Sequence, residues 1–373
     1  MPPGEPSSAR EGAGMSSSEP SSGRSEKGEE IKAQYKKFIG RKLLFIASSL
    51  ILILLIAGFA ATLGSYQITV KEVYAIIWRG LLHEPATTAE LVVWNLRLPP
   101  ILLGILAGIG LAVAGATMQA VVRNPLASPY TLGIASAAGF GAALAIIFGK
   151  GVVAGEYLII ANAFVFAVLS AFVIYGLSCH RGATPETMIL AGIALMYLFS
   201  AMTGILQYFG EQQAVAEVVF WMFGSLGRAS WDKLPFVAVI ILFSVPLVML
   251  KAWDLNTLGA GDESAKSLGV NVNQTRAFCF VLASFMTAGV ICFTGTIGFI
   301  GLVAPHICRM VIGGDNRYLL PASGLFGAVL LLTADTIARR IIAPTIIPVG
   351  LVTAFMGVPL FLFLILRRKR EYW

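Results

Sequence analysis

From Leu43 to Leu366 the sequence is a succession of apolar runs, and one segment breaks that succession more deeply than any other. Asp254–Arg276, DLNTLGAGDESAKSLGVNVNQTR, is its longest polar interruption. Hydrocarbon cannot hold unpaired backbone groups or charges, since each costs several kcal/mol there. The island therefore belongs in water, between two membrane spans. It also carries helix signals. Asp262 and Lys266 are four apart with the acid on the N-terminal side, a favourable helix pair. Ala265 and Leu268 fall on one face, and Gly269 is a natural stop. The pattern predicts a short amphipathic helix over Asp262–Leu268, with a turn around Asn256–Gly259 before it. Such a helix is either a tidy loop or a docking knob for a cytosolic partner.

Composition settles the class. Of 373 residues 57% are hydrophobic and only 13% are charged. A soluble domain of this size cannot cover its surface with so few charges. The fold class is all-α, a polytopic transmembrane helical bundle. The 39 glycines suit close helix packing in lipid. The net charge of +7 does not argue for nucleic acid, because Lys and Arg gather at span ends and in the tails, where orientation signals belong. The four cysteines stand singly, with no CxxC, and are expected to be buried thiols. No GxxxxGK[ST] phosphate loop, HExxH or EF-hand spacing occurs, and three histidines are too few and too separated for a metal site. The chain is expected to bind no metal or cofactor and to carry no catalytic residue.

Taken in order, residues 1–30 are rich in Ser, Gly, Pro and Glu and predict a disordered tail. Residues 31–373 form the membrane domain. Basic residues from Lys32 to Lys42 precede the first apolar run and put the N-terminus inside the cell. Ten spans are expected, near residues 43–63, 98–121, 130–148, 156–178, 187–208, 234–250, 277–294, 299–312, 318–337 and 349–366. Gly104 and Gly108 make a GxxxG in the second. Gly295–Gly301 is a glycine-rich break between the seventh and eighth. Val218–Leu226 is apolar but too short to span, and is expected as a partial helix at the interface, with Trp221 and Trp231 as belt residues. The polar island and the turns Arg123-Asn124-Pro125 and Asp315-Asn316-Arg317 fall inside. The last two echo one another, as halves of transporters often do. Basic residues also end the chain, at Arg367–Arg370. Both termini are thus cytosolic, which agrees with an even span count. Asp335, the most buried acid expected, lies four residues before Arg339 and predicts a local ion pair.

Several of these segments together resemble the permease subunit of the FecCD-type ATP-binding cassette (ABC) importers, the family of the vitamin B12 and iron-siderophore permeases. The resemblance is carried by Arg97-Leu98-Pro99, Gly115–Gln119, Arg123–Pro129 with Leu132-Gly133, and Trp221–Leu226. It continues through Leu258–Gly269, Gly298–His306, Ala334-Asp335 with Arg339, and Pro348-Val349-Gly350. It covers the chain from about residue 43 to the C-terminus.

The resemblance implies a multi-pass protein of a prokaryotic plasma membrane that moves a metal chelate inward: iron-siderophore, corrinoid or haem. It implies a homodimer, two cytosolic ATPase subunits that use the ATP, and an extracytoplasmic binding protein. The ATPase would dock on Leu258, Gly259, Asp262, Glu263, Ala265, Lys266, Leu268 and Gly269, within the coupling segment 254–276. Arg97 and Arg339 match the family's outer arginines, which receive acidic residues of the binding protein. A second arginine often follows the first; here that position is Pro100. The rival class is a secondary transporter or channel working without ATP. It needs ion-coupling acids within the spans, and this chain is nearly empty of them.

Overall fold

The computed structural model describes residues 21–64, 66, 68–80, 83, 85–180 and 184–366. Among these the regular structure is helical. In chain order the helices are α1 (Ser21–Thr62), α2 (Val70–Gly80), α3 (Thr88–Leu91), α4 (Leu98–Val121), α5 (Ile134–Phe148), α6 (Leu158–His180), α7 (Pro185–Phe209), α8 (Gln212–Met222), α9 (Leu234–Leu250), α10 (Ala252–Gly259), α11 (Asp262–Ser267), α12 (Val272–Thr294), α13 (Ile300–Ile312), α14 (Asn316–Arg340) and α15 (Val349–Leu366). Compactness divides the chain into residues 1–43 and 44–373. In the first unit, Lys42 stands over the Phe38 ring, with Nζ 4.5 Å from its centre. Of the tail expected over 1–30, residues 1–20 lie outside the described residues, and α1 begins at Ser21. The basic end Arg367–Arg370 also lies outside them.

Each of the ten expected spans coincides with a helix: α1, α4, α5, α6, α7, α9, α12, α13, α14 and α15. Among the described residues, α1, α4 (with the turns before it), α6, α7, α12 and α14 are long and apolar enough to cross a membrane unaided. α9 reaches spanning length only when taken together with α10, from which it is bent by 55°; α10 itself belongs to the polar island. The other three, α5, α13 and α15, are shorter apolar helices. The 13 residues of α13 cover about 20 Å, against roughly 30 Å of hydrocarbon. Non-helical backbone must fill the difference, and it survives at that depth only when buried in protein.

The break between α12 and α13 meets this requirement. Ser225 donates its backbone N–H to the Thr294 carbonyl at 2.7 Å, and the Thr296 hydroxyl donates to the Met222 carbonyl. Gly224, Gly295 and Gly350 bring three stretches of backbone together here. A Cβ on Gly350 would stand 2.2 Å from the Phe223 carbonyl oxygen, and one on Gly295 2.2 Å from that of Trp221. Three segments far apart in sequence, 221–225, 294–299 and 348–350, thus satisfy one another. Trp221 is consumed by this packing. It is 4% exposed, so it is a core residue and not the interfacial belt residue its sequence suggests. The partial helix also starts earlier than expected, at Gln212.

α4 is the axis of the bundle, packed on α14, α12, α13 and α9. Its small residues allow this. A Cβ on Gly108 would lie 2.5 Å from the Ala328 Cα in α14, and one on Gly115 1.8 Å from the Gly301 carbonyl oxygen in α13. Backbones meet directly at both places, as the GxxxG pattern predicts for Gly108. In its apolar window α4 is 78% buried, whereas α7 is 17% buried and turns its side chains outward. Cys279, Cys292 and Cys308 are buried free thiols, as expected.

Candidate functional site

The polar island meets each of the other two turns expected on the inner face through its own polar cluster. α11 opens at Asp262, whose carboxylate lies 2.9 Å from the Arg276 guanidinium and 3.5 Å from that of Arg123. The Arg276 side chain is only 2% exposed. Besides Asp262 it reaches the C-terminal turn of α4, where its Nε donates to the Val121 carbonyl at 3.2 Å. On the other side of the island, the Asn256 amide donates to Asp315 at 2.9 Å, and its carbonyl oxygen accepts the Asn316 N–H at 2.8 Å. Asp315 caps α14 and also holds Arg317 at 2.6 Å. That Arg317 bond, with help from Asn256, lowers the Asp315 pKa to about 2. Arg317 in turn lies over the Trp253 ring, 4.1 Å from its centre.

The helices of the island follow local rules. α10 occupies the place of the expected turn at Asn256–Gly259, and α11 covers the expected helix almost in full. Gly269, at φ +82°, ends it, and the Val270 N–H returns to the Ala265 carbonyl at 3.0 Å. Asn271 caps α12 by accepting the Gln274 N–H. One expectation is corrected: Lys266 pairs with Glu263 at 2.9 Å and not with Asp262. Asp262 is drawn away because two arginines outside its own helix reach it, which no count of helical spacing includes. Glu263 holds the Lys266 pKa above the ordinary lysine value.

The eight island residues singled out by sequence divide into two groups. Leu258 and Ala265 are buried and Asp262 is half-buried; they face the bundle. Gly259, Glu263, Lys266, Leu268 and Gly269 are exposed, Leu268 at 68%. The exposed group forms one apolar and charged face on a support of buried anchors.

The outer end is built differently. Arg97 lies just before α4, at the end of a π-helical turn over Val92–Arg97, and is 4% exposed. Its guanidinium donates to the carbonyls of Ala61 and Tyr66, which ties the end of α1 and the loop after it to α4. Nearby, the Trp231 indole donates to the Trp94 carbonyl at 2.8 Å and its ring packs on that of Trp94. Arg339 has a side chain 19% exposed and holds Asp335 at 2.8 Å, the expected pair. Arg340 beside it is exposed. Of the two arginines that sequence places at an outer docking surface, one is engaged with backbone inside the protein and the other with a neighbouring carboxylate.

Sequence reasoning passed over Arg276, Arg123 and Asn256 as members of this site. A signal for Arg276 was present. It sits in the second turn of an apolar helix, where a charge must find a partner.

Comparison with known proteins places this architecture. The model of the FecCD transport family matches residues 50–367. A Methanocaldococcus jannaschii protein assigned as an ABC transporter permease is 46% identical over 351 residues, covering 92% of this chain and 99% of its own. The haemin transport system permease of Yersinia pestis is 39% identical, covering 88% of this chain and 97% of its own. Among solved structures, an inward-facing transporter assigned to the metal-chelate ABC type superposes with a TM-score of 0.77 at 30% identity, over 87% of this chain and 99% of its own.

Proposed function

The chain belongs to the FecCD transport family and is a multi-pass permease subunit of an ABC importer in the plasma membrane; from this premise we propose that its cargo is a metal chelate of the haem, corrinoid or iron-siderophore kind. The haemin system of the Yersinia pestis relative and the metal-chelate structural neighbour support that cargo class. Residues 31–373 act as one permease domain with 254–276 as its coupling segment. Two copies enclose the path, two cytosolic ATPase subunits hydrolyse the ATP, and an outer binding protein delivers the cargo. The chain itself catalyses nothing and binds no cofactor.

One observation carries the coupling role: an exposed face of Gly259, Glu263, Lys266, Leu268 and Gly269 stands on Leu258 and Ala265, which are fully buried. A loop with no partner gains nothing from presenting Leu268 to water on so firm a base. Closure of the ATPase dimer pushes this face, and the packed helices behind it switch between two arrangements. At the outer end, Arg339 and exposed Arg340 offer positive charge to the binding protein, and Arg97 holds the rim on which they act.

The test is reconstitution of the chain alone, then with its ATPase and binding protein, with labelled haemin, cobalamin and ferric citrate as probes. Uptake of one of them that requires ATP and both partners is expected. Uptake at full rate by the lone chain would overturn the reading.

A further inference from the structure

Two hydrogen-bonded ties join the island to the bundle, beside the longer Asp262–Arg123 ion pair at 3.5 Å, and both end on the same packed pair of helices. The first runs from Asp262 through the buried Arg276 guanidinium to the Val121 carbonyl at the end of α4, at 2.9 Å and 3.2 Å. The second runs from Asn256 to Asp315 and the Asn316 N–H at the start of α14, at 2.9 Å and 2.8 Å. α4 and α14 pack backbone on backbone where Gly108 meets Gly327 and Ala328. Besides its covalent links to α9 and α12 and the buried anchors Leu258 and Ala265, the island is therefore held to α4 and α14 by polar side chains.

We infer that Arg276 and Asn256 are positioning residues that convert movement of the coupling face into movement of α4 and α14 as one unit. This rests on the coupling role proposed above and adds the route by which the push travels. The chemistry suits the task. The Arg276 guanidinium has a fixed fork and spans from a carboxylate to a carbonyl, so displacing Asp262 drags the end of α4. The Asn256 amide offers a donor and an acceptor together, so it grips the α14 cap in both directions. Neither residue lies on the exposed face, so neither is needed for the ATPase to bind.

The experiment uses the complex of full-length chain and ATPase in lipid nanodiscs. An environment-sensitive fluorophore is attached to Ile341→Cys, at the exposed outer end of α14. The readout is the emission change on adding ATP and vanadate, which needs no cargo. Arg276→Met removes the first tie without leaving a buried charge, and Asn256→Leu removes the second. Arg276→Gln, which also leaves no buried charge, is the milder partner of Arg276→Met, should that variant fold poorly. We expect each tie variant to bind the ATPase within about twofold of the parent while the emission change falls by about fivefold or more, the scale of mutations along a coupling route. Asn256→Gln, which keeps donor and acceptor, is expected to retain part of the change; a merely structural site would show no such rescue. An undiminished emission change in the tie variants overturns the inference, as does a parent complex that binds and hydrolyses ATP with no change at Ile341. Failure of the parent chain to bind any ATPase would instead sink the coupling role on which the inference rests.

Discussion

The two ends of the molecule handle charge in opposite ways. At the inner end, Asp262 engages Arg123 and the buried Arg276 while Asn256 engages Asp315, and the island they hold turns Glu263, Lys266 and Leu268 outward. At the outer end, Arg97 turns inward and gives its guanidinium to two backbone carbonyls. The inner end uses its polar groups to hold a contact face still. The outer end uses its best-placed cation to hold a loop to a helix. A charge near the end of a span is therefore ambiguous until its partners are known. It can address another protein or repair its own backbone.

The comparison breaks most readily at Arg97. Arg97→Met should lower stability by about 2–4 kcal/mol, because two carbonyls lose their donor and each unmet buried group costs about 1–3 kcal/mol. The measurement is thermal or denaturant unfolding in detergent, with ATPase affinity as the control expected not to change. A variant as stable as the parent but deficient in binding-protein capture would show that Arg97 faces outward after all. The inner end should respond in the reverse sense. Leu268→Asp, on an exposed face, should leave stability within about 0.5 kcal/mol but weaken ATPase binding by about 30-fold, the scale of a central interface residue. Equal binding before and after would remove the docking role from that face.

The sequence already contained most of the fold. Ten apolar runs became ten helices because backbone in lipid has no alternative to internal hydrogen bonding. Gly108 and Gly269 did what their lack of a Cβ allows, one in close packing and the other at positive φ. What could not be read was direction and long-range partnership. The Asp262–Lys266 spacing is a sound local pattern, yet Arg276 and Arg123 lie 14 and 139 positions away in sequence and win Asp262 through tertiary packing. Trp221 looked like a belt residue because composition cannot show that Gly295 and Gly350 close over the turn that follows it. Arg97 was legible as important and illegible in role, since Ala61 and Tyr66 offer carbonyls that leave no mark in side-chain patterns.

Arg339 sharpens the contrast within the outer end itself. It is partly exposed and paired with Asp335, so reversal to Glu places two carboxylates one helical turn apart and removes an outward cation. Arg339→Glu should weaken binding-protein capture by about three- to fivefold at low salt, in line with the 0–1 kcal/mol of a partly exposed ion pair. The loss should shrink as salt shortens the range of the interaction. Surface-immobilised binding protein titrated at two ionic strengths reads both effects. Capture that falls equally at both would mean that the introduced carboxylate acts through packing.

The smallest effect expected is the most specific to the inner end. The folded Asp315 carboxyl has a pKa of about 2 against an ordinary 3.8, chiefly through its bond from Arg317 and then through Asn256. The folded value is depressed, so the unfolded chain takes up the proton first as pH falls. The stabilisation is complete above about pH 4 and is lost as pH drops towards 2. Asp315→Asn removes the titrating charge but keeps an oxygen that can cap α14. At pH 7 the variant should melt below the parent, and the gap should close between about pH 4 and pH 2, where the parent loses the same charge. Other carboxylates titrate in that window in both proteins, so only the difference between the two melting curves reports on Asp315. A gap that is independent of pH would mean that the introduced amide disturbs the cap by shape. The Asn256 tie would then depend on the geometry of the α14 cap and not on its charge.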